Sequence, residues 1–128
     1  MDFATAIREG SKHVEQLFTG EYWRFHNHAP VAWYLSAFEG HPQKIDASRI
    51  GYACVVGAAL LGTTGQTTLQ NPKNIAKALF PRTNISTVCP INTYCTSHEN
   101  IVDMAIHLND IHEWTFQQIA DWVEYIEN

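Results

Sequence analysis

Histidine, cysteine and an Asn-Asp pair are the side chains of this chain whose types and spacing could do chemistry. His26 and His28 stand one residue apart, and His107, Asp110 and His112 fall within six residues. Zinc or iron needs three or four such ligands converging on one point. His107 and Asp110 would share a face if a helix ran through Asp110, whereas His112 lies past a turn. Neither group matches a strong metalloenzyme signature such as His-Glu-x-x-His. Scattered surface histidines are therefore the default, and no metal and no cofactor is expected. His26, His28, His107, Asp110 and His112 are the residues that would hold a metal if one were bound.

The three cysteines divide in the same way. Cys54 lies in an apolar run and reads as a small core residue. Cys89 and Cys95 flank five residues in a segment of turn formers, TNISTVCPINTYCTSH. They could pair, close a metal site or remain thiols. An odd count, with no basic and apolar leader in MDFATAIREGSKH, favours thiols. Nucleophilic catalysis finds little support: Cys54 reads as buried, and Ser36 lacks the strand–turn–helix setting of a nucleophile elbow. The loop TTGQTT lacks the lysine and spacing of a phosphate-binding loop. The Asn109-Asp110 pair could be a polar binding centre. Its structural reading has Asn109 in a left-handed helix cap and Asp110 accepting from backbone donors of the turn.

Charge narrows the partners. The net charge is −5, yet no Lys or Arg follows Arg82, while seven acids do. A duplex-binding face needs clustered cations to displace counterions from phosphates. The one local basic cluster is Lys73, Lys77 and Arg82, so no nucleic acid is expected. The longest apolar stretch is about a dozen residues and contains Gly51, Gly57 and Gly62, too short for a bilayer. The reading is a soluble cytoplasmic protein of one domain spanning residues 1–128.

Hydrophobic periodicity predicts the elements that would position these groups. Phe3, Ala6, Ile7, Gly10, Val14, Leu17 and Phe18 form one stripe of a helix over 2–19, capped by Asp2 and stopped near Gly20. Gly10 lies on that stripe, which points to a closely approaching backbone. A second helix over 48–61, capped by Asp46 or Ser48 and stopped by Gly62, is apolar all round and so is buried. Asn71-Pro72 starts a third helix over 72–80. A fourth, over 98–108, is capped by Ser97 and broken by Asn109-Asp110. Thr115 and Gln118 form a capping box for a last helix over 115–126. Residues 21–47 are poorly patterned, with Val31–Phe38 leaning to helix. The expected fold is all-α: about five helices around a buried small-residue helix, with Gly57 touching another helix.

Two phrases resemble an uncharacterised bacterial and phage family, domain of unknown function 6197. One is Cys54-Val55-Val56-Gly57-Ala58; the other is Asn109-Asp110 leading into the amphipathic segment Thr115–Ile126. Leu108 stands where the family has Trp, and residues 22–45 have no clear counterpart. The resemblance implies a helical fold and a mobile-element context, and no reaction.

Two functions follow. The first is a non-enzymatic binding or regulatory protein, engaging a protein partner or a second copy of itself. Its binding residues would be Asn109, Asp110, Trp122 and Tyr125, the two aromatics lying off the core stripe of the last helix. The second is a small metal-dependent enzyme using His107, Asp110 and His112. On this reading, stoichiometric zinc or iron would favour the enzyme.

Overall fold

The apolar run after Gly51 divides into two elements. In a computed structural model, which describes residues 1–32, 44–68, 71–95 and 98–128, Ile50–Ala53 is a strand and Val55–Thr64 is a helix. The strand is β3, the centre of a three-stranded sheet in the order β1-β3-β2. Glu15–Gln16 (β1) runs parallel to it and Trp23–Phe25 (β2) antiparallel. A second, two-stranded ribbon pairs Ser86–Thr87 (β4) with Glu99–Asn100 (β5). The helices are α1 (Phe3–Ser11), α2 (Val55–Thr64), α3 (Pro72–Leu79), α4 (Ile101–Asp110) and α5 (Phe116–Glu127). Short 3₁₀ turns span Ala47–Arg49 and Pro81–Asn84.

The fold is therefore mixed α/β, and the all-α expectation is corrected. The cause is physical. Ile50, Gly51 and Ala53 are all buried, so β3 lacks the alternation that marks a strand with one wet face. A fully buried apolar run reads the same as a buried helix. The other strands have two or three residues, too few to show any period.

The first helix is also shorter than expected. Asp2 caps it, its carboxylate accepting from Thr5 N at 2.8 Å, but it ends at Ser11. The chain then extends so that Leu17 N donates to Ala53 O at 2.8 Å. Val14 and Leu17 are buried from this extended segment, while Phe18 is exposed. Gly20 does adopt the left-handed conformation, with φ 83°.

Helix α2 fills the middle. Val55 through Leu61 are all buried, and Gly65, not Gly62, stops the helix with φ 72°. Its N-cap is Cys54, whose sulfur accepts from Gly57 N at 3.4 Å; Asp46 caps the preceding 3₁₀ turn instead. Cys54 is a core residue, and burial pushes its thiol up to about 12. The close approach expected at Gly10 is real: a β-carbon there would overlap the Ala58 carbonyl, and one at Gly62 would overlap that of Ala6. Gly57 instead meets Tyr22 O and the Trp23 indole, whose N–H donates to Gly57 O at 3.0 Å. Its neighbour is the lead into β2, not another helix.

Helix α3 starts as predicted, with Asn71 as cap and Pro72 in the first turn. Helix α5 carries the predicted capping box of Thr115 and Gln118. Helix α4 is capped by Asn100, which accepts from Asp103 N at 2.9 Å; Ser97 lies outside the described residues, as do residues 33–38 of the Val31–Phe38 segment. Cations from before Arg82 meet acids from after it. Arg8 binds Asp121 at 2.8 Å and Glu124 at 3.0 Å, and Lys73 and Lys77 bracket Asp103 at 3.0 and 3.2 Å. Two of the three residues of the basic cluster are thus already occupied.

Two outcomes are expected. Gly10→Ala gains about 0.5–1 kcal/mol of helix propensity but forces α1 away from Ala58. Overpacking of about 1–3 kcal/mol wins, so chemical denaturation should report a less stable protein. Burial raises the Asp103 carboxyl, but hydrogen bonds from Lys73, Lys77 and Asn100 outweigh it and hold it below its ordinary 3.8. The stability it contributes is present above that value and is lost as pH falls through the depressed one. Asp103→Asn should therefore flatten the acid limb of a stability–pH curve.

Candidate metal centre

Ribbon and helix together bring four potential ligands to one point. Strand β4 leads to Cys89, and the loop after it folds back through Asn92, whose carbonyl accepts from Cys95 N at 3.0 Å and whose side chain accepts from Tyr94 N at 2.9 Å. The chain returns through β5 and enters α4, which carries His107 in its last turn. His112 follows the helix end, where Ile111 N bonds His107 O at 2.9 Å and Glu113, with φ 53°, reverses the chain. Cys89 is buried, His107 and His112 are half-buried and Cys95 is exposed.

The ligand atoms of Cys89, Cys95, His107 and His112 all lie within 4.8 Å of one another. His112 Nε2 is 3.5 Å from each sulfur and 3.1 Å from His107 Nε2. Zinc bonds of about 2.3 Å to sulfur and about 2.05 Å to nitrogen, at tetrahedral angles, put sulfur about 3.6 Å from nitrogen and two nitrogens about 3.3 Å apart. The three spacings about His112 Nε2 are those edges to within a few tenths of an ångström. Hydrogen bonding alone cannot account for them. One imidazole nitrogen offers either a single proton or a single lone pair, yet His112 Nε2 faces three partners at once.

The electrostatics agree. Loss of hydration, and then the neighbouring His112, hold the His107 imidazole below its ordinary value and so favour its neutral, metal-binding form. Loss of hydration and the Cys89 thiol raise Cys95. A divalent cation at the centre removes this conflict, because it binds the neutral imidazoles and stabilises both thiolates. The set is S₂N₂ and uses four protein ligands, the pattern of a closed tetrahedral site with no position left for water.

The other singled-out residues lie elsewhere. His26 Nε2 is 3.0 Å from Ser48 O, and His28 stacks on Tyr52 with Nε2 3.1 Å from its hydroxyl. Trp122 is buried within this chain, whereas Tyr125 is 79% exposed. Asp110 does not join the metal ligands; its Oδ1 accepts from Asn109 Nδ2 at 2.7 Å. The left-handed cap expected at Asn109 is corrected: α4 runs on through Asp110. Asn109 is instead fully buried, and its amide is fully used. Its Oδ1 accepts from Gln16 Nε2 at 2.8 Å and Val55 N at 3.1 Å, and its Nδ2 also donates to Leu17 O at 2.7 Å.

The residues missed as a set are Cys89 and Cys95 with His107 and His112. A readable signal was present. Cys-x₅-Cys followed by His-x₄-His differs from the usual zinc pattern only by a slightly wide cysteine spacing. Pairing His107 with Asp110 hid it. No known family model, curated protein or solved structure matches the chain.

Asn109→Ala should cost about 2–5 kcal/mol, since it strands the Val55 N–H and the Gln16 amide in the interior. Asp110→Ala, which leaves one Asn109 N–H without its partner, should cost less, about 1–3 kcal/mol. Thermal melts of the two variants test this order.

Proposed function

We propose that this protein is a small non-enzymatic binding or regulatory module of the cytoplasm, in which Cys89, Cys95, His107 and His112 hold a structural zinc ion. The observation that carries the reading is a four-ligand S₂N₂ set gathered within 4.8 Å, with zinc-like spacings about His112 Nε2. Catalytic zinc keeps a position open for water or substrate, and structural zinc does not. Soft thiolates with imidazoles favour zinc over magnesium, calcium or manganese. The enzymatic alternative needs Asp110 beside His107 and His112, and Asp110 is engaged with Asn109. Stoichiometric zinc therefore argues for a structural role here and no longer favours an enzyme.

The ion would tie the Cys89–Cys95 loop to the end of α4, a region with little apolar core of its own: Ile85, Ile91, Tyr94 and Ile111 are exposed. Partner binding is assigned to the C-terminal helix, where Tyr125 projects outward as an anchor for a protein partner or a second copy. Trp122 is withdrawn from that role because its ring is already covered.

Elemental analysis of the protein purified under reducing conditions should give one zinc per chain. A zinc-free or iron-only protein overturns the reading. A ligand held at about a thousand times its dissociation constant stabilises by about 4 kcal/mol, so chelation should lower the melting temperature by roughly 10 °C or more. Cys89→Ser and His107→Ala should abolish the zinc response.

A further inference from the structure

We propose that the metal centre is a redox-controlled clasp: a hydroperoxide oxidises Cys89 and Cys95 to a disulfide, and the zinc is expelled. This rests on the zinc reading above and extends it to regulation of the same site.

The two sulfurs share one coordination sphere, with both Sγ atoms 3.5 Å from the same His112 nitrogen. The turn at Asn92 brings Cys95 back beside Cys89 with five residues between them. Their environments differ in the way a stepwise oxidation needs. Cys95 is exposed and meets the oxidant; Cys89 is buried at the edge of the core, where Cys95 and the histidines are its reactive neighbours. The third cysteine, Cys54, is sealed in the core and committed to capping α2. It does not compete, so a single disulfide is the product.

The chemistry balances with the peroxide as the oxidant. The Cys95 thiolate attacks one peroxide oxygen; the O–O bond breaks, giving a sulfenic acid and a hydroxide or alkoxide that takes up a proton. The Cys89 thiolate then attacks the sulfenic sulfur. The S–S bond forms, the S–O bond breaks, and the departing hydroxide takes a second proton to leave as water. Two electrons pass from the sulfurs to the peroxide, and two thiolates and two protons are consumed. Zinc is left with His107 and His112 alone. Two imidazoles are too few ligands for a stable tetrahedral site, so the ion leaves. The loop carrying Ile91 and Tyr94 then loses its tie to α4, while the core around α2 and Asn109 is untouched.

The test uses the full-length zinc-loaded protein and hydrogen peroxide, with a chromogenic zinc chelator and intact-mass measurement. The expected result is one zinc released per chain, in step with a mass loss of two hydrogens, both reversed by dithiothreitol and added zinc. Peptide mapping should place the bond between Cys89 and Cys95, and Cys54→Ser should respond as the parent does. Cys95→His keeps four ligands without a second thiol and should hold its zinc through the same treatment. A protein that carries zinc but keeps it under peroxide, or loses it with the cysteines over-oxidised rather than joined, overturns the redox clasp alone. A protein that never carries zinc overturns both the clasp and the zinc reading beneath it.

Discussion

The structure depends on one buried amide. Asn109 has no exposed surface, and its two donors and two acceptor positions are all engaged: with Gln16, Leu17, Val55 and Asp110. Gln16 extends the network, donating to Trp114 O at 2.7 Å and accepting from Phe116 N at 2.9 Å. Through these two side chains the first strand, the start of α2, the end of α4 and the start of α5 are held in one register. A buried polar group is tolerated only when every bond is made. Four of these bonds also satisfy backbone groups at a helix terminus or loop, among them the first free N–H groups of α2 and α5.

This constraint explains how α4 serves two sites. Residues 107 and 109 are about 200° apart around a helix, so while Asn109 faces the core, His107 faces the ribbon. The helix end that is locked into the interior on one side presents a metal ligand on the other. On the proposed zinc reading, coordination adds to the buried Cys89 in tying the Cys89–Cys95 loop to that rigid point. Oxidation or loss of metal would then be felt in the ribbon before it is felt in the core.

Much of the helical frame was legible. The Asn71-Pro72 start, the Thr115–Gln118 capping box and the buried small-residue helix rest on local rules, each written in a few neighbouring residues. Gly10 announced a backbone crossing, and Ala58 supplies it. The strands were not legible, because β1, β4 and β5 have two residues each and β3 is buried on both faces. Val14 and Leu17 fitted a helical stripe although they lie in extended chain, since a spacing of three residues is compatible with either conformation over so short a span. The site was half legible. Each histidine and cysteine was visible as a possible ligand, but grouping them needed the ribbon that carries the cysteines back over the end of α4.

The features readable from the chain alone are therefore the local ones: caps, helix starts, burial of the Val55–Leu61 run, and an acidic C-terminal third without Lys or Arg. These follow from side-chain hydrogen bonding and periodicity within a turn or two of chain. Tertiary structure decided where α1 ends, that Gly51–Ala53 is a strand, that Asn109 faces inward as a hub, and that two cysteines and two histidines meet. All of these depend on partners many residues away. Leu17 meets Ala53, Asn109 meets Gln16, and His112 meets Cys89, and no local propensity encodes such a meeting. It arises because packing and the satisfaction of buried polar groups outweigh the preference of any single segment.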